Sequence, residues 1–546
     1  MHIGYYFLFF GFFHYCYGDG DAGGFQMIEV DWNHVSVPFV IVIWILVACG
    51  VKILFHANKK FGDNVPDSAC LIIVGLVVGY LLIYLNLDKK LLMMDSEVFF
   101  LYLLPPIMFD AGYCMPNKIF FGNIDSVMLF ALVGTILNCS AISGTLYLCS
   151  TYGLFSVNFT VYEVLLFSSL VCATDPVAVL SVFEELKVND FLHINVMGES
   201  LFNDGISAVL FVVFRKFIQT GPENLVPLDY AAAGCSFVVV AVGGVLIGLF
   251  YAVMASIVTK YTSRVRILDI IFIFTFAYLA HLTAELLTVS SILSVVSCGI
   301  IVKQYIKSNI THDAVISVRQ ITRTLATCSE TVVFLLLGTS SIAFENKIDH
   351  WFIGITVASC TIYRTIFTVM QCSLLNAIRK QKFTFKEQIV LSYSGLRGAI
   401  AFGLALSLPS SIAARNMFVT TAIAVVFFTV IFQGITVKPL LLWLHVETKE
   451  ERELRLVEEF NDKCLDYVNG GIEGIVGRRR LNFLKTHFEQ MENKFIKPIL
   501  LKKYRRGQVD TNHVARVCMK VAIQDASEWV EAIRYPTKDS EEKEQL

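Results

Sequence analysis

The feature that most constrains this chain is a recurrence. A run of roughly 17–28 apolar residues gives way to a short polar break, then another run begins, and the pattern repeats about thirteen times. Each run is long enough, as a helix, to cross the ~30 Å hydrocarbon core of a bilayer. Lipid offers no hydrogen bonds to the backbone, so a spanning segment has to satisfy its own N–H and C=O groups, which an α-helix does. The expected fold is therefore an all-α polytopic membrane protein. The approximate cores of the spans are 38–56, 68–87, 97–113, 125–150, 162–184, 191–216, 230–258, 267–287, 289–306, 320–343, 350–378, 388–408 and 416–444.

Composition agrees. Of 546 residues, 55% are hydrophobic and 16% charged, against ~25% charged in a soluble domain. A net charge of −2 gives no reason to expect nucleic-acid binding. The 14 cysteines are scattered without CxxC or metal-ligand spacing and read as small packing residues. A short apolar run from Ile3 to Phe13, followed by the polar Gly18–Gly24, reads as a signal peptide over residues 1–20, with an uncleaved extra helix as the alternative. Residues 21–444 then form the membrane domain and 445–546 a tail.

Loop charge orients the chain. Lys59–Lys60, Lys260–Arg266, Lys303–Arg323 and Arg379–Lys386 fall on the side of the tail, with Lys89–Lys90 and Arg215–Lys216 as exceptions. This places the N-terminus outside and the tail in the cytosol. Asn158, in Asn-Phe-Thr, becomes an exposed glycosylation acceptor, while Asn309 faces the cytosol and stays bare. In the tail, Leu481, Leu484, Phe488, Met491, Phe495 and Ile499 recur at three- and four-residue steps, one face of a helix over about 478–503. That face suits either an anionic membrane surface or the groove of a protein partner.

Ionisable side chains inside spans are costly and mark function. Asp175 precedes Pro176 in the middle of an apolar run. The proline should break the helix and leave carbonyls and half-helix ends free, as in the ion sites of many secondary transporters; the bland alternative is a mere kink. Asn203 and Asp204 lie in the next span between Gly198 and Gly205. A carboxylate taken out of water holds a proton more tightly, and can hold either that proton or a bare cation, the minimum device for exchange. Oxygens suit a hard cation, and Asp204, Asp175, Asn203 and Thr174 supply them. Glu199 lies four residues before Asn203 on the same helix face and needs a partner, for which Arg364 is the candidate; a structural ion pair is favoured over transport chemistry. Arg397, in a Gly-rich span, either neutralises the site or faces half-helix C-termini. Glu330 and Glu285 are further acids expected to be buried, and Asp110 is expected near a membrane boundary.

The stretches Asp175–Leu186, Gly198–Asp204, Tyr393–Phe402, Val98–Tyr113 and Ala277–Leu286 resemble those of the eukaryotic sodium/proton exchangers, most closely the plasma-membrane branch, from about Val30 to Pro536. The resemblance implies a homodimer of thirteen-span protomers, each with a dimerisation domain and a core of six helices with inverted repeats and two crossed, broken helices. It implies electroneutral Na⁺/H⁺ exchange by an elevator-like motion, Na⁺ held at Asp204 and Asp175, a role in intracellular pH and volume, and no cofactor beyond the transported ions. It places Glu199, Arg364, Arg397 and Glu330 among packing and pH-response positions. Phe99, Phe100 and Leu101 fall in a stretch tied to amiloride-type inhibitors. The tail helix matches the binding site for calcineurin-B homologous protein, an EF-hand partner, and membrane lipids are expected to touch the rest of the tail. Two departures, Thr174 and Gly205, sit beside the ion site. A channel would need a selectivity filter, and a hydrolase or ATP-driven pump would need motifs such as HExxH, GxSxG or a P-loop; the sequence shows none of these.

Overall fold

The computed structural model describes residues 42–47, 49–53, 55, 65–84, 96–157, 159–221, 226–262, 266–307, 309–343, 347–379, 382–446, 464 and 491–501. The chain divides into two compact units, Met1–Val47 and Ala48–Leu546. Residues 42–47 of the first are helical; the second contains the helices that build the site. The proposed leader, Asn158, Leu481, Leu484 and Phe488 lie outside the described residues, as does the side chain of Phe495.

Every regular element among the described residues is helical. The main ones, in chain order, are α1 (Asp67–Tyr84), α2 (Leu104–Cys114), α3 (Ile124–Thr151), α4 (Val161–Val171), α5 (Val177–Leu186), α6 (Asp190–Thr220), α7 (Pro227–Tyr261), α8 (Arg266–Leu286), α9 (Ser291–Ile306), α10 (His312–Ala343), α11 (His350–Ile378), α12 (Phe385–Tyr393), α13 (Ala399–Leu406) and α14 (Arg415–Leu444). Seven of the described helices are long and apolar enough to cross a membrane unaided. Two runs that read as single spans, 162–184 and 388–408, are each split in two: α4 from α5, and α12 from α13.

The helix starts follow local chemistry. Thr160 and Thr384 each form a capping box with the glutamate three residues on, Glu163 and Glu387. Asp349 accepts from the amides of Trp351 (3.1 Å) and Phe352 (3.2 Å) at the start of α11 and from the Ser156 amide (3.0 Å). Helices meet where side chains are smallest, as expected when lipid is as apolar as leucine and close backbone approach must supply the attraction. Gly75 of α1 lies on the backbone of Leu335 and Gly338 in α10, and Gly244 and Gly248 of α7 lie on Ser290 and Ser294 at the start of α9. The opposite flank of α7 exposes Val238, Val239, Val242, Leu246 and Phe250, an apolar strip.

Of the tail, residues 491–500 form a short helix against the ends of α7 and α9. Glu492 is buried and accepts from Gln304 Nε2 (3.0 Å) and the Tyr305 hydroxyl (3.1 Å). Lys260 Nζ reaches the carbonyls of Pro498 (3.2 Å) and Ile499 (2.8 Å), and Asn309 Nδ2 that of Leu500 (2.9 Å), so the C-terminal carbonyls of this helix are capped by the membrane domain. Met491 and Ile499 point away, 52% and 61% exposed.

Candidate ion-binding site

Two interruptions make the site. Between α4 and α5 the backbone unwinds over residues 172–176, with Pro176 as the residue before α5. Between α12 and α13 it unwinds over 394–398. The two unwound segments are joined backbone to backbone: the Asp175 amide donates to the Leu396 carbonyl at 2.7 Å. The C-termini of α4 and α12 and the N-termini of α5 and α13 thus converge, bringing partial negative and partial positive charge together inside the protein.

The acids and bases sort themselves onto these ends. Asp175 Oδ1 accepts from the Val177 amide at 3.0 Å, an N-terminal anion on α5. Its carboxylate lies against Gly398, where a Cβ would collide with it. Arg397 Nη1 donates to the carbonyls of Cys172 (2.5 Å) and Ala173 (3.4 Å) at the end of α4. Of the two roles open to Arg397, the hydrogen bonds are those of a cation on a half-helix C-terminus. Arg364 Nη2 does the same at the end of α12, donating to Leu391 O at 3.2 Å, while its Nη1 pairs with Glu199 Oε1. The expected Glu199–Arg364 pair is therefore formed, both side chains nearly inaccessible.

Helix α6 runs past this crossing for 31 residues and carries Glu199, Asn203 and Asp204, all buried. Asn203 spends both ends of its amide on protein. Nδ2 donates to Thr174 Oγ1 (2.8 Å) and Cys172 O (3.2 Å), and Oδ1 lies 3.0 Å from the Thr135 hydroxyl and 2.9 Å from that of Ser207. Thr174 and Asn203 thus bind each other and tie α6 to the first break. Asp204 differs: its Oδ1 is buried without a hydrogen-bond partner. A buried oxygen left unpaired is expensive unless something absent from the polypeptide completes it, and a proton or a cation arriving as substrate would do so.

A cavity of about 220 Å³ reaches this point. Asp204 and Asp175 line its inner end; Glu330 and Asp110 line its wall; Arg323 and Glu184, 3.3 Å apart, lie at its exposed rim. Asp110 lies in the cavity wall, where Cys114 Sγ donates to it at 3.3 Å. Glu285 is a correction: it is exposed, in the last turn of α8, because the helix ends at Leu286. Phe99, Phe100 and Leu101 fall in a π-helical turn, Phe99–Leu103, ahead of α2. Phe99 packs on Gly403 of α13, and the cavity wall begins beyond these residues, at Leu104. Sequence reasoning passed over Thr135 and Thr429. Thr429 Oγ1 accepts from the Arg397 amide at 3.1 Å. A hydroxyl in an apolar run bonds its own preceding turn often enough to carry no signal.

A helical bundle with paired, crossed helix breaks and a carboxylate left open at their junction defines a membrane transporter of the antiporter fold. The same fold is seen in the sodium proton antiporter MjNhaP1 from Methanocaldococcus jannaschii at pH 8, with a TM-score of 0.58 over 76% of this chain and 100% of that one, at 18% identity. Residues 40–443 match the family described as "Sodium/hydrogen exchanger, transmembrane". The chain is 48% identical over 503 residues to the Caenorhabditis elegans "Probable Na(+)/H(+) antiporter nhx-3", covering 92% of this chain and 75% of that protein. It is 41% identical over 514 residues to human "Sodium/hydrogen exchanger 3", covering 94% of this chain and 61% of that one. The chain belongs to the sodium/hydrogen exchanger family and is a multi-pass membrane transporter.

Proposed function

We propose that this protein exchanges external Na⁺ for internal H⁺, one for one, at Asp204. The observation that carries the proposal is the buried, unpartnered Asp204 Oδ1 at the end of the cavity, facing the crossing where Asp175 lies. The relatives named as Na⁺/H⁺ antiporters and exchangers support the choice of ions. Asp204 takes a proton or a Na⁺, the cation's remaining ligands coming from Asp175 and the carbonyls of the breaks, with Thr174 and Asn203 holding the frame. One carboxylate that takes up either one H⁺ or one Na⁺ has the same charge in both loaded states, which gives electroneutral exchange. Glu199, Arg364, Arg397 and Glu330 set the packing and the field around it.

The cavity opens towards the end of the molecule from which the tail leaves, near Lys438 of α14, which pairs with Glu185 at 2.6 Å. With the tail in the cytosol, the site faces inward. Alternation is an elevator-like movement of the crossed helices against the rest, within a homodimer joined through the apolar flank of α7, at the plasma membrane, where it regulates intracellular pH and volume. Residues 445–546 form a regulatory arm. The outward-facing Met491 and Ile499 continue the apolar face that includes Leu481, Leu484, Phe488 and Phe495, and are presented to an EF-hand partner of the calcineurin-B homologous type and to lipid. The test is flux in proteoliposomes: addition of Na⁺ should drive proton efflux without current, and Asp204→Asn should reduce it by roughly 100-fold or more, about 2.7 kcal/mol. Exchange retained in the variant would overturn the assignment.

A further inference from the structure

A second cavity lies behind the second break, away from Asp204. It measures about 210 Å³ and is bounded by α11, α12, the 394–398 segment and the middle of α14. Its inner wall carries two arginines, Arg364 (6% exposed) and Arg397 (3% exposed), with Gly395 between them. Its outer wall includes Thr361, Thr365 and Phe385, all exposed, on the flank where α11 turns Ile362, Ile366 and Leu374 outwards. The mouth therefore opens onto the lipid-facing side. Helix α12 is nine residues long, about 13 Å at 1.5 Å per residue, so the cavity runs from the tail-side end of the molecule to the break. Lys382 and Lys386 are exposed at that end.

The polar accounting of this cavity does not close. Arg397 spends Nη1 on Cys172 O and Ala173 O, but its Nε and Nη2 donate to nothing among the described residues, and no carboxylate there pairs with it. Arg364 spends Nη1 on Glu199 and Nη2 on Leu391 O; its buried Nε has no partner. That Nε faces Gly395, where a Cβ would stand 2.8 Å away. Glu199 pairs with Arg364, whereas Arg397 has no carboxylate in contact among the described residues, and it stands at the wall of a cavity with room for several waters at roughly 30 Å³ each. Buried charge left this way is costly, and guanidinium edges fit oxyanions in a two-point geometry.

We propose that this cavity binds a phosphate-type oxyanion, held by the free Nε and Nη2 edge of the Arg397 guanidinium, and that its occupation tightens cation binding at Asp204. The oxyanion comes either from an acidic lipid headgroup entering through the lateral mouth or from free phosphate. Arg397 links the two sites: one edge holds the carbonyls beside Thr174 and Asp175, and its charge acts through space on Asp204. An anion on its other edge offsets that charge, leaving Asp204 a stronger ligand for Na⁺ and for H⁺ alike, so the gain for Na⁺ is seen at alkaline pH, where few protons compete. The transport half of this inference rests on the exchange reading above; the binding half does not.

The test uses the full chain, wild type and Thr365→Phe, which fills the cavity from its outer wall and lies outside the ion site. Native mass spectrometry of both proteins titrated with phosphatidic acid, or with inorganic phosphate, reads binding without transport. Retention of one such ligand by the wild type and its loss in Thr365→Phe supports the site, and the ligand retained identifies the source. Equal retention by both proteins, or by neither, overturns it. Na⁺ flux in vesicles of phosphatidylcholine alone, the same with phosphatidic acid, and the same with internal phosphate then reads the coupling. At alkaline pH, the apparent KM for Na⁺ should fall roughly fivefold in the wild type on adding the bound ligand, the lower end of couplings between sites, and stay put in Thr365→Phe. An equal fall in both proteins would show only bulk surface charge and would overturn the coupling. An absence of flux in every vesicle would fall on the exchange reading instead.

Discussion

The two breaks do the same mechanical job with opposite chemistry. The first, 172–176, is made by a proline and carries an acid, Asp175. The second, 394–398, contains no proline; it includes Gly395 and Gly398 and carries a base, Arg397. Each reaches across to serve the other. Arg397 caps the carbonyls at the end of α4, and the Asp175 carboxylate sits in the space Gly398 leaves open. An interrupted helix inside a membrane exposes both signs of partial charge, and a single break cannot neutralise both with its own residues. Two breaks crossed in opposite senses can.

Substitutions at each break test this division of labour. The largest effect is expected where a charge of the second crossing is removed from its partner. Arg364→Met leaves Glu199 buried and unpaired and the Leu391 carbonyl without its donor, a loss of about 3–5 kcal/mol, read as a fall in the temperature at which the protein leaves solution. Adding Glu199→Gln should restore much of it; no recovery would mean that Arg364 acts on α12 alone. At the first break, Asp175→Asn keeps an acceptor for the Val177 amide but removes the charge. The fold should survive while Na⁺ flux falls roughly 30- to 100-fold, about 2–2.7 kcal/mol; flux within a factor of two of wild type would show that Asp175 only caps α5. Gly395→Ala drives a methyl towards Arg364 and should cost about 1–3 kcal/mol, whereas alanine at Gly354, where a Cβ meets nothing, should not. Smallest is Thr384→Ala, which removes the capping box of α12 and should cost about 1 kcal/mol with the transport rate unchanged.

The difference between the breaks also explains what is legible in the sequence alone. Asp175-Pro176 announces itself because a proline that removes a backbone donor stands beside a carboxylate inside an apolar run; proline alone would not suffice, since α14 continues through Pro439. Glu199 and Arg364, 165 residues apart, are matched by a rule that needs no geometry: a charge buried in a membrane finds its opposite. The position of the second break is not legible in this way. Glycines in a membrane span serve close packing as often as unwinding, and only contact with Asp175 and Thr429 shows which role these play. The charged start of α10 reads as loop because hydropathy falls across Arg319 and Arg323. The structure continues the helix from His312 through both, with Arg323 turned to Glu184 at the cavity rim. Asn203 reads as a ligand because its amide is chemically able to be one. What it does depends on Thr174, Thr135 and Ser207 all lying within reach, and of these only Ser207 is close to it in sequence.

The bond from the Asp175 amide to the Leu396 carbonyl has a genetic consequence. It is the one tie between the two unwound segments that uses no side chain, so no codon change at either position deletes it, apart from one that places proline at 175. Side-chain ligands around the ion can therefore drift, and with them the preference for one cation over another, while the two segments stay riveted and travel as one piece. Selectivity in such a protein is open to mutation; the coupling of its two halves is almost closed to it.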